Sequence, residues 1–355
     1  MRRCSYRRMT KPIKKYYNIE DDLRDYPDCW LYVVYSKRGP GKTYSFLNMV
    51  TRDNIEFLYM KRTQIDIKLL CKEKYNPFKP INRDRGTNYR CVLEDPDEGI
   101  AKIVDGNNGD ETIGACGAMS AVHKYKGFDL SEVEYICFDE FIPQLSERVN
   151  RKEGELLLDL YMTVNRDREE RGREPLKLIL FANATELYCP ITDTLQLVDV
   201  LAELNASGEE FRYLKDREIF IRHVLYSPSA NENTRIFKGM AGTQWADMAF
   251  GGTFAYNDFT KVKKVPMKGM VCYLEVIYQR KSYYIYQHRD NGLYYMCRSK
   301  GKVDETYDME IESDQRRFWQ SWGILLRQEV TDGNMMFSDY SAYNLIYNFT
   351  KIYKF

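Results

Sequence analysis

The sequence predicts an α/β protein in which helices cover a mostly parallel sheet, followed by a second domain of α+β type. Short apolar runs alternate with amphipathic segments over roughly the first 200 residues, which is typical of a parallel sheet. A later segment, residues 268–300, is rich in tyrosine and contains two turn signals, so it predicts a β-meander. With 355 residues, the chain is long enough for two hydrophobic cores.

The first domain is predicted to contain four strands, at residues 31–35, 55–61, 134–138 and 176–182. Between the second and third strands, a Gly-Asn-Asn-Gly run tolerates positive φ angles and predicts a hairpin. Apolar residues recur at helical spacing over residues 155–164, which predicts a helix with one buried face. Two further helices are expected near the end of the chain, at residues 314–330 and 338–353.

Composition excludes several classes of protein. A hydrophobic fraction of 44% and a charged fraction of 30% are those of a globular protein. No run approaches the ~18 apolar residues that a membrane span needs, and the basic start lacks the apolar core of a secretory signal. The nine cysteines occur singly, without a C-x-x-C pair, and are expected to be reduced. We therefore expect a protein of the cytoplasm that does not contact a membrane.

The net charge of +1 conceals two basic regions. Residues 1–15 contain seven Lys or Arg and no acidic residue. Residues 261–302 contain ten Lys or Arg against only Glu275 and Asp290. Local basic regions on a neutral chain indicate contact with a polyanion at defined places.

A phosphate-binding loop is predicted where the first strand meets the following helix. Its backbone N–H groups would bind the phosphates of ATP, Lys42 would reach the β- and γ-phosphates, and the Thr43 hydroxyl would bind Mg²⁺. The usual first glycine of the motif is replaced by Ser36. The predicted nucleotide-binding residues are Ser36, Lys37, Arg38, Gly39, Pro40, Gly41, Lys42 and Thr43.

Two carboxylates end the third predicted strand, Asp139 and Glu140. The carboxyl edge of a parallel sheet is where ligands bind in open α/β folds. Asp139 would hold Mg²⁺ and Glu140 would polarise the attacking water. Taken alone, this pattern also fits a strand followed by a solvated turn. Together with the loop, it predicts ATP hydrolysis by a P-loop NTPase of the type with an additional strand and a catalytic glutamate (ASCE).

A dense polar segment, residues 165–173, follows the predicted helix and contains four arginines. It fits either a solvated loop or an arginine finger that a ring subunit offers to its neighbour's γ-phosphate. Arg166 is our candidate, with Arg168, Arg171 and Arg173 as alternatives. Asn183 ends the next strand, where its amide could sense the γ-phosphate.

The chain resembles the DNA-packaging ATPases of small tailed bacteriophages of the phi-29 type. The resemblance lies in SKRGPGKT, FLYMKR, ICFDEFI and TVNRDRE followed by ILFANA, and it covers most of the chain. It implies a homo-oligomeric ring, a pentamer in that family, that sits on the capsid portal and packages double-stranded DNA, in some members through a structural RNA. It also implies that Arg166 acts in trans and that Lys126 contacts a neighbouring subunit or DNA.

The resemblance further implies a C-terminal domain with a nuclease-like (RNase H-like) fold that has lost nuclease activity. A two-metal nuclease needs clustered carboxylates, and the basic meander offers only Glu275 and Asp290. Its seven tyrosines fit alternating core positions, whereas its basic residues suit contacts with phosphates of any sequence. The candidate nucleic-acid-binding residues are Lys126, Lys261, Lys263, Lys264, Arg280, Lys281 and Arg289.

We therefore predict an ATPase domain with a basic arm over residues 1–197, a linker subdomain over 198–254 and a nucleic-acid-binding domain over 255–355. The expected function is a motor that moves viral DNA into a capsid, in the host cytoplasm. Another ring ATPase, a helicase or DNA translocase, would share the motifs. A non-enzymatic nucleic-acid-binding capsid protein, in which GPGKT is accidental, is the alternative from a different class.

Overall fold

Two compact units make up the chain, as seen in the computed structural model. The first comprises Met1–Phe141, Leu160–Ala184 and Glu209–Thr253, and the second comprises Ile142–Asp159, Thr185–Gly208 and Phe254–Phe355. The structure describes residues 16–37, 39–93, 99–127, 130–144, 147, 149–166, 168, 170–183, 186–225, 235–240, 242–243 and 259–353. No helix in these ranges is both long enough and apolar enough to cross a membrane.

The first unit is built on a nine-stranded sheet. Its strands are β1 (Leu31–Ser36), β2 (Phe57–Lys61), β3 (Tyr89–Val92), β4 (Ile100–Asp105), β5 (Glu111–Ala118), β6 (Tyr135–Asp139), β7 (Lys177–Asn183), β8 (Phe211–Leu214) and β9 (Ile219–Val224). Their order is β3-β4-β5-β2-β6-β7-β1-β9-β8. Six neighbouring strands, from β5 to β9, are parallel, and antiparallel strands extend both edges. β7 therefore lies between the loop strand β1 and the carboxylate strand β6, as the additional-strand class requires.

The central strands are buried on both faces, since every residue of β1 is buried and only the end residues of β7 are partly exposed. The helices of this region are α1 (Ile19–Asp25), α2 (Lys42–Arg52), α3 (Gln64–Leu70), α4 (Lys79–Arg85), α5 (Glu153–Val164) and α8 (Arg235–Met240), of which α5 is divided between the two units. Side chains cap two of them. Asn18 accepts from the backbone of Glu20, and Thr63 forms a capping box with Asp66.

The second unit contains a five-stranded sheet of order β13-β10-β11-β12-β14. The strands are β10 (Met270–Tyr278), β11 (Lys281–His288), β12 (Tyr294–Cys297), β13 (Glu305–Asp308) and β14 (Met335–Phe337). β10, β11 and β12 form an antiparallel meander, and β13 and β14 add parallel strands on either side. The helices are α6 (Pro190–Thr194), α7 (Val198–Ser207), α9 (Glu312–Phe318), α10 (Ile324–Asp332), α11 (Tyr340–Tyr347) and α12 (Phe349–Ile352).

The tyrosines of the meander are core residues, as the alternating pattern indicated. Of the seven, only Tyr273 is exposed, and the others are buried. Tyr284, Tyr286 and Tyr295 form a cluster with Cys297 on one part of the sheet. A meander rich in tyrosine therefore builds its own hydrophobic core and leaves its lysines and arginines for the surface.

The predicted strands, the hairpin between β4 and β5, the helix α5 and the meander are confirmed. The first C-terminal helix is divided into α9 and α10 by a π-helical turn, Trp319–Gly323, where Gly323 packs closely against the Trp319 ring. The segment expected to be a linker differs from the prediction. Its β8 and β9 extend the large sheet through pairing of β9 with β1, whereas its α7 belongs to the second unit. This pairing joins segments far apart in the chain, Leu31 with Ile219, so no local pattern indicates it.

The ion pair between Asp22 and Arg222 joins α1 to β9 inside the first unit, and Asp22 is only 2% exposed. Arg222 also lies over the rings of Phe211 and Phe220. Arg222→Leu should lower the free energy of unfolding by about 3 kcal/mol, because it leaves the Asp22 charge buried without its partner. Urea unfolding measures this effect. The double variant with Asp22→Asn should recover part of the loss, and an additive loss would contradict the argument.

Candidate active site

The phosphate-binding loop has the geometry that its glycines make possible. Gly39 and Gly41 both take positive φ angles, 85° and 97°, which side chains disfavour. Gly41 caps α2, so Lys42 and Thr43 are the first two residues of the helix. The backbone N–H groups at such a helix start form an anion-binding site.

Lys42 is buried, and its Nζ donates a hydrogen bond to Ser36 Oγ. The serine that replaces the usual glycine thus holds the loop lysine at the end of β1. Burial lowers the pKa of Lys42 to about 8, although the nearby carboxylates of Asp139 and Glu140 oppose the change. A buried ammonium with a lowered pKa gains strongly from an anionic partner such as a phosphate.

Asp139 lies at the centre of the site. Its Oδ2 accepts hydrogen bonds from Thr43 Oγ1 at 3.0 Å, from Tyr59 OH at 2.7 Å and from Lys61 Nζ at 3.0 Å. Burial would raise the pKa of Asp139, but the Lys61 charge and these hydrogen bonds hold it below its usual value. The loop threonine and the strand carboxylate, 96 positions apart, are therefore in direct contact.

Glu140 occupies a left-handed turn immediately after β6, with φ of 61°. Its side chain is 56% exposed, and Oε2 accepts a hydrogen bond from Lys61 Nζ at 3.1 Å. Burial would lower the pKa of Lys61, but the charges of Asp139 and Glu140 raise it. One ammonium group thus bridges both catalytic candidates.

Lys61 was not among the residues predicted for the site, although it belongs to the FLYMKR segment that carried part of the family resemblance. Its position at the end of β2, a neighbour of β6, was the usable signal.

The residues around Asp139 are suitable ligands for a magnesium ion. Thr43 and Asp139 offer hard oxygen ligands, and Lys61 already places a positive charge beside the carboxylates.

The arginine-rich segment lies near the amino ends of the parallel strands, whereas the phosphate-binding loop lies at their carboxyl ends. Arg168 is buried, and its guanidinium donates to the carbonyls of Ser131 and Val133, which precede β6. Asp139, in contrast, ends that strand. Arg166, two residues before Arg168, is exposed. A guanidinium at the amino ends of the strands is separated by the length of β6 from Asp139 and the phosphate-binding loop of its own chain.

The contacts distinguish among the four arginines. Besides those two carbonyls, Arg168 donates to Glu174 O, so its guanidinium has a structural role. Arg173 makes an ion pair with Glu132. Arg166 and Arg171 are exposed, and Asn165 fixes the start of the segment by accepting from the Leu176 backbone at 2.9 Å. Arg168 and Arg173 are thus held by contacts within the chain, and Arg166 and Arg171 are accessible at the surface.

Asn183 ends β7 next to Ser36 in the register of the sheet, so it lies at the end of the sheet that carries the loop, as expected.

Lys37 is partly buried, whereas Arg38 lies outside the described residues, as does the side chain of Lys126. The remaining nucleic-acid candidates are all at least partly accessible: Lys263, Lys264, Arg280 and Arg289 are exposed, and Lys261 and Lys281 are half-buried. Within the described ranges, no group of three or more His, Cys, Asp or Glu is arranged to hold a metal.

The loop, the carboxylate strand and the strand between them define a P-loop NTPase fold. The family model for the podovirus DNA encapsidation protein (Gp16) matches residues 12–313. Because this match covers most of the sequence, the chain belongs to that family, and the predicted resemblance is confirmed. No curated protein matches the chain by sequence.

Solved structures share the fold. The chain is similar to one from the bacteriophage Phi-29 viral genome packaging motor assembly, with 18% identity, a TM-score of 0.66 and coverage of 95% of this chain and 99% of that one. The Phi-28 gp11 DNA packaging motor gives 18% identity, a TM-score of 0.64 and coverage of 96% and 98%. These likenesses extend over both units and confirm the predicted fold class.

If Lys42 contacts the phosphates of a bound nucleotide such as ATP, its lowered pKa predicts an affinity that depends on pH. The free protein loses the Lys42 charge as pH rises through about 8, whereas bound phosphates favour the charged form. The Kd for ATP should therefore increase about tenfold per pH unit above that value. Fluorescent ATP titrations measure it, with Lys42→Arg as the control that remains charged. An affinity that does not change over about three pH units would contradict this assignment.

Proposed function

We propose that this chain is an ATP-hydrolysing subunit of a ring motor that moves double-stranded DNA into a preformed capsid. Family membership supports the packaging role. The contact between Thr43 Oγ1 and Asp139 Oδ2, at 3.0 Å, carries the proposal of ATP hydrolysis, because it joins the phosphate-binding loop to the metal-binding carboxylate. Portal binding, a pentameric ring, a possible packaging RNA and action in the host cytoplasm are parts of the same proposal.

Each residue has a role in this proposal. Lys42 and the loop amides bind the β- and γ-phosphates, while Thr43 and Asp139 would hold Mg²⁺, which neutralises charge on the phosphate oxygens. Glu140 orients a water and accepts its proton. Lys61, which contacts both Asp139 and Glu140, would hold the two carboxylates in place beside the phosphates. Asn183 senses the γ-phosphate from the neighbouring strand.

The two units would have separate roles. The first unit, which includes β8 and β9, would hydrolyse ATP, and residues 255–355 of the second unit would contact nucleic acid through a vestigial nuclease-like fold. The exposed basic residues Lys263, Lys264, Arg280 and Arg289 support the last role. A motor must hold phosphates and not bases, because it has to move over any sequence.

The overall test compares ATP hydrolysis by the purified protein with and without capsids and DNA. A packaging motor should hydrolyse slowly alone and faster when assembled. Movement on intact duplex supports packaging, whereas strand separation would favour a helicase. Failure to bind nucleotide at all would favour the non-enzymatic alternative.

Substitutions in the site should separate binding from hydrolysis. Lys42→Ala and Asp139→Ala should lower ATP turnover by at least about 10²-fold, because each removes a charge that acts on the transferred phosphoryl group. Glu140→Gln should bind ATP normally and retain it, since only the proton acceptor is lost. Rapid-quench turnover and nucleotide retention on filters measure these effects, with unfolding midpoints as the control. Unchanged hydrolysis in Lys42→Ala and Asp139→Ala would reject the site.

DNA binding should tolerate any sequence and depend strongly on salt. Log affinity should fall linearly with log salt concentration, with a slope near −0.9 for each phosphate neutralised. Replacing Lys263, Lys264 and Arg289 by Ser should flatten the slope by up to about three such increments. Replacement of Arg83, an exposed arginine on α4, is the matched control. A sequence preference that salt does not weaken would contradict the proposal.

Arg166 should act on ATP bound by the neighbouring subunit. Such a residue stabilises charge on the γ-phosphoryl group in the transition state and is worth about 10³- to 10⁵-fold in rate. Arg166→Ala should bind ATP normally and hydrolyse it very slowly. Mixing Arg166→Ala with Glu140→Gln subunits, each inactive alone, should restore part of the activity, because some interfaces then combine an intact Glu140 with an intact Arg166. No recovery in mixed rings of confirmed assembly would shift the assignment to Arg168, Arg171 or Arg173, or reject an arginine finger in this segment.

A further inference from the structure

The backbone around Glu140 departs from the strand that delivers it. Asp139 ends β6 in register with Phe181 of β7, and Glu140 then turns into the left-handed region. Phe141 returns to the sheet, since its N–H donates to Phe181 O at 3.1 Å. Glu140 is thus a single residue turned out of the strand. A residue with a Cβ is uncommon in this conformation unless its surroundings hold it there.

Arg62 supplies the contacts that hold this turn. Its Nη2 donates to Phe141 O at 2.6 Å and to Glu140 O at 3.2 Å. The guanidinium lies over the Phe138 ring, with 5.5 Å between its central carbon and the ring centroid. Arg62 is 7% exposed, so these bonds form away from water. Its hydrogen bonds therefore hold the main chain at Glu140 and at the residue that follows it, and its guanidinium packs on the ring of Phe138 before the turn.

Arg62 is itself fixed by its place in the fold. It follows Lys61 at the end of β2, and its carbonyl accepts from Ser120 N at 3.0 Å. The next residue, Thr63, caps α3. A buried arginine that starts from a fixed backbone can hold the turn in one conformation, because its planar group offers several donors in a rigid arrangement.

We infer that Arg62 is a positioning residue for Glu140, acting through the main chain, while the adjacent Lys61 contacts the Glu140 carboxylate. This inference rests on the proposed hydrolysis of ATP by Glu140. The contacts of Arg62 that carry this inference are with Phe138, Glu140 and Phe141, none of which belongs to the phosphate-binding loop. Its loss should therefore change how well water is activated and leave the phosphate-binding residues in place.

The test is the division of the effect between turnover and affinity. In Arg62→Ala, kcat should fall by up to about 10²-fold, since a small displacement of a reacting group has effects of this size. The Kd for ATP should stay within about twofold, below the loss expected from any change in phosphate contacts. Arg52→Ala is the matched control, because Arg52 is an exposed arginine of the same unit that pairs with Glu20 and Asp53. It should leave both constants unchanged.

Added guanidinium chloride, below unfolding concentrations, should restore part of the kcat of Arg62→Ala and leave Arg52→Ala unaffected. Arg62→Lys covers the case in which the alanine variant does not fold, because it keeps a cation over Phe138 but cannot hold both carbonyls in the same way. It should fold, bind ATP and show reduced kcat. Normal kcat in Arg62→Lys and Arg62→Ala, or a parallel loss of ATP affinity, would overturn the inference. Absence of hydrolysis by the unaltered protein would instead reject the proposed function.

Discussion

The common direction of the central strands is the constraint on which the site depends. β2, β6, β7 and β1 are parallel neighbours, so their carboxyl ends meet at one edge of the sheet. That edge receives Lys61 from β2, Asp139 from β6, Asn183 from β7 and Ser36 from β1. Residues far apart in sequence become neighbours without any long loop. A single antiparallel strand at the centre would remove its functional residue from this edge.

Charge compensation explains why such a site is stable before nucleotide arrives. Asp139 is buried, and a buried carboxylate is tolerated only with partners. Lys61 pairs with it, and Thr43 and Tyr59 complete its hydrogen bonds. The pair of Asp139 and Lys61 would suit a cation bound together with phosphates. The cation could replace Lys61 beside the carboxylate, and the phosphates could pair with the ammonium group. The charged groups that such a ligand would need are therefore already in position in the free site.

The second unit is stabilised by buried tyrosines and by hydrogen bonds between its helices. Its meander buries Tyr283, Tyr284 and Tyr286 on β11, and the hydroxyls of Tyr284 and Tyr286 donate hydrogen bonds to Glu275 and to the Ser299 carbonyl. Asp199 of α7 accepts bonds from the backbone and side chain of Ser341 at the start of α11. These polar contacts fix the helices of this unit on each other, so the exposed basic residues stand on an ordered surface.

The sequence alone determined the class of the first unit and most of the candidate residues that the structure brings together at one end of the sheet. Apolar strands, a GPGKT turn and a terminal Asp-Glu pair are local patterns, so they are readable without a structure. The contacts of Lys61 and Arg62 were not readable, since both depend on β2 lying beside β6, a pairing between distant segments. The same reason explains why β8 and β9 were taken for a linker and why Arg168 could not be separated from Arg166. Periodicity reports which face of an element is buried, whereas only the tertiary structure decides which elements share an edge and which buried charges meet.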